Sequence, residues 1–333
     1  MKKTEYICII KSNYDMLNRR ILRIKAFKVL YSFAENPSMS LSEAEAQLEI
    51  SCESARSLYL LMLLMIPTLT DEASARIEDA RNKFNPTDEE RNPNMKFVEN
   101  SLAPLFRDDP DFTKLVSRRK LSWDQYDALV RNLYSTLVTR DYYREYMASP
   151  ERSLREDVNL FVKIFEQEFV DNTHLASILE DMSIWWNDDL AYSLTCCCDT
   201  LKDLASGKRW SLPPLYRSEM SSRPDVESDK AFIYKLLRQS YACFDKYSRL
   251  VAENVSQWES DRLFTTDMVL IVMGLSEAKA FPDMPVRVTI NEYVEISKYY
   301  STPKSRSFVN GLLDRLIKKL VSEGDIVKTA PVI

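Results

Sequence analysis

Arginines near the start of the chain are the first residues whose type and spacing indicate chemistry. Arg19, Arg20 and Arg23 fall within an arc of about 100° on an ideal helix, so three guanidinium groups can point the same way. A guanidinium group suits a phosphate because its planar fork donates in pairs, and it also stacks on bases. Taken alone, this spacing favours a solvated helix face, with an RNA-binding surface as the alternative.

A second basic group lies near the other end of the chain. Lys304 and Arg306 fall in the first turn of the last predicted helix, where free backbone N–H groups favour anions. Segments 11–28 and 296–320 each hold six basic residues and one acid, although the whole chain has a net charge of −5. We therefore expect one basic patch if the two segments meet in space. Taken alone, this group again favours a solvated helix face.

Residues that could support catalysis or hold a cofactor are sparse. The chain has one histidine, His174, and its adjacent acids, 108–109 and 188–189, do not face each other on a helix. No glycine-rich phosphate loop is present, and the six cysteines lack the spaced pairs of a zinc site. We therefore predict no catalytic residue, no metal and no cofactor. The protein is expected not to be an enzyme.

Composition favours helices. The chain of 333 residues is 45% apolar but has only four glycines, and no alternating stretch is long enough to need a sheet. The apolar run 58–69 is too short to span a bilayer and is interpreted as a buried helix that ends before Pro67. We predict an all-α, cytoplasmic protein that does not enter a membrane.

Helical periodicity, together with the residues that cap or break helices, predicts where the helices lie. A Pro- and Ser-rich loop over 206–226 is the clearest boundary, and an amphipathic helix follows it. The last three helices are expected to be capped at Thr266, at Thr289 with Glu292, and at Thr302 with Pro303. The other predicted helices are 16–34, 41–66, 70–84, 122–147, 153–170, 174–184 and 188–205.

An ordered set of motifs gives the strongest functional signal. The last helix carries "FVNGLLD" at 308–314, which puts an Asn-Gly pair inside a helix although glycine costs about 1 kcal/mol there. The preceding helix carries "VTINE" at 288–292, and the arginines lead into "LYSF" at 30–33. With segment 229–241, these pieces occur in the order typical of one family. The chain resembles the NusB family of transcription antitermination factors.

The resemblance implies an all-helical fold of two small bundles. It also implies binding of a single-stranded boxA-like RNA together with ribosomal protein NusE and RNA polymerase-associated Nus factors. The residues that it places at the RNA are Arg19, Arg20 and Arg23, with Phe308 in the matched motif of the last helix. Members of the family can carry an acid at 304, so Lys304 and Arg306 are added to the RNA site from their charge and not from the resemblance. The residues that it places in structural motifs are Tyr31, Asn291, Glu292, Asn310, Gly311 and Asp314. The acids that it places towards NusE are Asp261, Asp267 and Glu277.

Two of these positions allow more than one interpretation. Gly311 removes a side chain, so either another backbone or the RNA can approach the last helix closely. Phe308 either caps the core or stacks on a base. We interpret Asn310 and Gly311 as structural residues that place the turn at 304–306 beside the N-terminal arginines.

The resemblance covers only 11–35 and 227–322, which we expect to form one discontinuous RNA-binding domain. The residues between, 36–226, are predicted to be a helical insertion. This leaves two alternative functions open. The protein could be a helical scaffold whose acidic insertion carries the function, or an RNA-binding module in ribosomal RNA maturation.

Overall fold

The computed structural model describes residues 16–216, 228–255 and 264–330, in which helices are joined by turns and irregular segments. The all-α prediction is confirmed, because the only β-type pairing in these ranges is an isolated bridge between Leu17 and Tyr216. A π-helical turn, Phe165–Phe169, and a 3-10 turn, Ile184–Trp186, complete the helical elements. The α-helices in chain order are α1 (Arg19–Glu35), α2 (Leu41–Arg81), α3 (Asp88–Arg91), α4 (Leu102–Arg107), α5 (Pro110–Arg118), α6 (Asp127–Leu137), α7 (Asp141–Ala148), α8 (Leu154–Ile164), α9 (Thr173–Met182), α10 (Leu190–Ala205), α11 (Asp229–Val255), α12 (Thr265–Ala280), α13 (Val286–Tyr300) and α14 (Ser305–Ser322).

The chain divides into two compact units. The discontinuous unit consists of Leu17–Cys52 and Tyr216–Ile333, and the inserted unit consists of Glu53–Leu215 with Met16. The first boundary lies inside α2, later than the expected boundary at residue 36. The start of α2 belongs to the discontinuous unit because Glu45 accepts a hydrogen bond from Arg238 of α11 at 2.5 Å.

The discontinuous unit is built around α12. This helix is apolar on nearly every side, and Val269, Leu270, Ile271, Val272 and Met273 are all fully buried. Helices α1, α11, α13 and α14 pack around it. Such an all-round apolar helix is expected at the centre of a bundle, where every face meets another helix.

A glycine allows close packing between helices of this unit. A Cβ atom on Gly274 of α12 would lie 2.7 Å from Leu313 Cδ2 of α14 and 3.3 Å from Tyr293 Cδ2 of α13. Both neighbouring side chains are fully buried. Gly274 therefore lets α13 and α14 pack directly on α12.

The inserted unit has its own apolar core. The part of α2 after Cys52 is buried along Leu58–Leu63, and aromatic rings from other helices pack in the interior, with Phe97 stacked on Phe161 at 5.7 Å between centroids. Trp123 Nε1 donates to the Leu61 carbonyl at 3.0 Å. These contacts give the unit a hydrophobic interior of its own.

Helix α2 corrects the expectation of a break at Pro67. The helix continues through this proline to Arg81. Two threonine hydroxyls next to the proline donate to backbone carbonyls one turn back, Thr68 to Leu64 at 2.8 Å and Thr70 to Ile66 at 2.9 Å. Pro67 lacks the N–H that would bond the Leu63 carbonyl, and neither threonine bond reaches that carbonyl, so the helix continues with one backbone hydrogen bond fewer.

The same helix is the one element in the described ranges that is long and apolar enough to cross a membrane. Its most apolar window is 67% buried inside the protein, as is usual for the core helix of a soluble protein. By length and composition alone such a helix is weak grounds for a membrane span.

Several predicted helix ends are also corrected. Helix α13 begins after Pro285, so Thr289 lies inside the helix and is not its cap. Helix α14 begins at Ser305 with Lys304 as its N-cap, because Thr302 and Pro303 form a turn before it. The segment predicted as one helix over 122–147 is divided into α6 and α7.

Candidate nucleic-acid interface

The three N-terminal arginines lie on α1 in the discontinuous unit, and each of them contacts an acid on a different helix. Arg19 Nε donates to Asp229 of α11 at 2.9 Å, and Arg20 forms a two-pronged contact with Glu292 of α13 at 2.7 and 3.0 Å. Their side chains are 37% and 27% exposed. Both guanidinium groups are therefore partly accessible but already paired with carboxylates.

Arg23 is buried. Its side chain is 3% exposed, and its Nε and Nη2 atoms donate to the two oxygens of Glu277 at 2.7 and 2.9 Å. Burial alone would lower the pKa of Arg23, but the Glu277 carboxylate raises it above the usual arginine value. This corrects the expectation that Arg23 contacts RNA, because its guanidinium group is enclosed and fully engaged inside the bundle.

Glu277 is the centre of this buried network. Its oxygens also accept from Thr289 Oγ1 at 3.1 Å and from Tyr293 OH at 2.9 Å, and the residue is 0% exposed. Burial raises the pKa of the Tyr293 hydroxyl well above its ordinary value, so Tyr293 remains a donor. The expectation that Glu277 contacts a partner protein is corrected, since its carboxylate joins α1, α12 and α13.

The other two acids expected at a partner surface give no support to that role. Asp267 is 1% exposed, and its Oδ2 accepts from Ser305 Oγ at 2.7 Å. A carboxylate beside the first residue of α14 is favoured by the partial positive charge of the helix N-terminus. Asp267 therefore positions the start of α14. Asp261 lies outside the described residues.

The C-terminal basic group has a different environment. Lys304 and Arg306 are both exposed. Within the described ranges neither of them has an acidic group within ion-pair distance, unlike Lys298, which pairs with Glu295 at 2.5 Å. These two cations at the start of α14 are consequently available to an anionic ligand.

The two basic groups do not meet at one point. Arg20 contacts Glu292 in the middle of α13, whereas Phe27 of α1 contacts Tyr300 at the end of that helix, with ring centroids 5.1 Å apart. Eight residues of helix separate these contacts, or about 12 Å. Lys304 follows Tyr300 along the chain. The prediction that the basic turn lies beside the N-terminal arginines is therefore corrected.

Aromatic residues lie near the end of α13, where Phe27 contacts Tyr300. Tyr31 of α1 is 36% exposed and lies 6.3 Å from Phe27 between ring centroids, and Tyr299 is 44% exposed. Phe308 is half-buried on α14. Exposed aromatic rings and unpaired cations both suit single-stranded nucleic acid, the rings by stacking on bases and the cations by phosphate contacts.

The remaining motif residues lie on outer surfaces. Asn291 is exposed on α13, and Asn310 and Gly311 are exposed on α14. Asp314 accepts a hydrogen bond from Lys318 one turn further along at 2.8 Å. No described atom lies within 4 Å of a Cβ built on Gly311, so no other backbone approaches it. Of the two interpretations of Gly311, approach of another backbone is excluded for the described ranges.

Two features were not identified from the sequence. Gly274, not Gly311, is the glycine that permits close helix packing; its position inside the apolar run "MVLIVMGL" was the available signal. Arg315 is exposed one turn after Gly311 and, in the described ranges, has no acidic group within ion-pair distance. Its spacing from Gly311 and Lys304 was the available signal.

The region that matches a known family lies mostly in the discontinuous unit. The family model described as "NusB family" matches residues 208–318, which include α11 to α13 and most of α14 but not α1. The structure adds α1 to the matched helices, because α1 packs on α11 and α12 in the same unit. No solved structure matches the chain.

Curated relatives share the same region. The chain is 31% identical to the transcription antitermination protein NusB of Salinibacter ruber over 102 residues, which cover 31% of this chain and 64% of the relative. It is 34% identical to that of Chloroherpeton thalassium over 108 residues, covering 32% and 51%. It is 34% identical to that of Myxococcus xanthus over 99 residues, covering 30% and 70%. The chain thus spans about half to two thirds of the first two relatives.

Proposed function

Because the chain belongs to the NusB family, we propose that it is a non-enzymatic, cytoplasmic transcription antitermination factor that binds single-stranded RNA. The observation that supports this role most directly is the pair of exposed cations, Lys304 and Arg306, at the start of α14. Both lie inside the matched segment and have no acidic partner in the described ranges. Arg19 and Arg20 are secondary contacts, since a phosphate would compete with their carboxylates.

The RNA proposed is a boxA-like element in ribosomal RNA transcription, and the protein partner proposed is NusE, with other Nus factors at the polymerase. A surface with so few unpaired cations neutralises few phosphates, so we expect modest affinity from this chain alone. NusE would then supply the remaining contacts. The surface that would bind NusE is not assigned, since Asp267 and Glu277 are buried.

The test compares two full-length double variants of equal charge. Lys304→Ala with Arg306→Ala removes the proposed phosphate contacts, whereas Lys114→Ala with Arg118→Ala removes two exposed charges from α5 of the inserted unit. Binding of a labelled boxA-like RNA is titrated over a range of salt concentrations, with and without NusE. The first variant should bind more weakly, with a log–log salt slope reduced in magnitude by about 1.4.

The control variant should keep the wild-type salt slope. If the two double variants lose equal affinity, RNA binding reflects overall charge and the interface is misplaced. If RNA binds to wild-type protein neither alone nor with NusE, the proposed function is wrong.

A further inference from the structure

Gly311 lies in the middle of α14 where nothing in the described structure requires a glycine. Its position is exposed, and a Cβ atom there would have no described atom within 4 Å. The backbone is helical, so no positive φ explains the residue. Glycine weakens a helix interior relative to alanine, because it loses more conformational freedom on folding. A ligand that needs to approach the backbone would account for it.

The residues around Gly311 on the same side of α14 are suited to a polyanion. Lys304, Ser307, Gly311 and Arg315 follow one another at spacings of three and four residues, so they lie along one face of the helix, and all four are exposed. We call these four residues the outer face of α14. They extend over about 16 Å.

Charge along this face is uncompensated at both ends. Lys304 and Arg315 have no acidic group within ion-pair distance in the described part of the chain, whereas Lys318, further along α14, pairs with Asp314 at 2.8 Å. Arginine donates in pairs to a phosphate, and lysine attracts it as a point charge. Between the two cations the backbone of the helix is accessible at Gly311, because this residue has no side chain.

We propose that the outer face of α14 binds the sugar-phosphate backbone of a single RNA strand, which crosses the helix at Gly311 and is held beyond it by Arg315. This rests on the proposed function and extends the RNA path from the start of α14 towards its C-terminal half. A strand that contacts Lys304 and Arg315 must pass over the helix surface between them, and a Cβ at residue 311 would hold it away.

The first test uses Gly311→Ala and Gly311→Leu in the full-length protein. Since nothing in the described structure requires a glycine at this exposed helical position, alanine should stabilise the protein, with a melting temperature higher by roughly 2 °C. The proposal expects that stabilisation together with RNA affinity weakened about fivefold by alanine and further by leucine. Affinity that is unchanged in both variants would overturn the proposal.

The second test uses Arg315→Ala with two lengths of oligouridylate. A long probe can reach from Lys304 to Arg315, whereas a short probe can contact only the start of the helix. Wild-type protein should bind the long probe more tightly, and Arg315→Ala should remove that advantage and reduce the magnitude of the salt slope by about 0.7. Arg118→Ala is the matched control and should keep both properties.

The outcomes separate this proposal from the proposed function. If Lys304→Ala with Arg306→Ala weakens RNA binding but Gly311→Leu and Arg315→Ala do not, the function stands and the path along α14 is wrong. If no variant changes RNA binding but Arg315→Ala releases a polyglutamate peptide, the outer face binds an acidic protein segment and the RNA path is again wrong.

Discussion

At the scale of single residues, the three arginines of α1 are held by acids that are distant along the chain. The acidic partners of Arg19, Arg20 and Arg23 lie 210, 272 and 254 residues away. Nothing local indicates such partners, so three residues expected to bind phosphate became one buried residue and two partly exposed ion pairs. Lys304 and Arg306 kept the expected exposure because no described acid folds onto them.

Arg23→Ala is expected to destabilise the fold rather than to report on RNA. It leaves the buried Glu277 carboxylate without its counter-charge, which costs about 3–5 kcal/mol in the free energy of unfolding. Urea denaturation should show this loss, and Arg23→Met combined with Glu277→Leu should cost less than the sum of the single changes. Strict additivity would show that the two side chains do not stabilise each other.

Asp325 provides a prediction about pH. Burial opposes its ionisation, but hydrogen bonds from Lys246, Lys279 and Tyr247 outweigh burial and lower the pKa of Asp325 to about 2. Its folded pKa is below the unfolded value of about 3.9, so the ionised form stabilises the fold above pH 4. That stability is lost as the pH falls from about 4 to 2.

The expected contribution is about 1–2 kcal/mol after allowance for solvent screening, since the Asp325 side chain is 22% exposed. Asp325→Asn should remove it at neutral pH and should flatten the pH dependence of unfolding below pH 4. A steeper dependence in the variant would contradict the assignment.

At the scale of elements, the helical periodicity was predicted well and the helix ends were not. Helix ends depend on contacts made elsewhere, as Thr289 illustrates: its hydroxyl donates to Glu277 on another helix instead of capping α13. Likewise, α2 passes through Pro67 because apolar burial on both sides of the proline favours a continuous helix. Propensity alone would end it there.

Two glycines of the same bundle should respond in opposite ways to the same substitution. Gly274→Ala places a methyl group 2.7 Å from Leu313 Cδ2, so the buried leucine has to move, at a cost of about 1–2 kcal/mol in the free energy of unfolding. Gly311→Ala meets no described atom and should stabilise α14. Thermal unfolding should show a lower melting temperature for Gly274→Ala and a higher one for Gly311→Ala.

A double variant checks the cause. Leu313→Ala alone leaves a cavity, but it also removes the atom that the new methyl group meets. Adding Gly274→Ala to Leu313→Ala should therefore cost less than Gly274→Ala costs in the wild-type background. An equal cost would mean that α12 is destabilised through contacts other than Leu313.

At the scale of the whole molecule, each unit has its own apolar core, and this bears on the alternative in which the insertion carries the function. Phe161→Ala in the inserted unit should cost about 3–5 kcal/mol there. Hydrogen exchange should show faster opening of that unit, while RNA affinity stays at the wild-type value. Phe232→Ala, a fully buried counterpart in the discontinuous unit, should weaken RNA binding.

If instead Phe161→Ala lowers RNA affinity as strongly as Phe232→Ala does, the inserted unit takes part in binding. Preserved RNA affinity with lost antitermination in a transcription assay would support the scaffold alternative. The sequence could not decide between these outcomes, because the acidic composition of 36–226 is compatible with either role.

The discontinuous unit is formed from two separate parts of the chain, and this has a consequence for biosynthesis. Helix α1 emerges from the ribosome before the inserted unit, but α11, α12 and α13, which its apolar side contacts, are translated only after the whole of that unit. Throughout that interval Leu22, Phe27 and Leu30 have none of their final neighbours from those helices. A nascent chain in this state exposes apolar surface of the kind that chaperones recognise, so slow translation of the insertion would prolong its need for one.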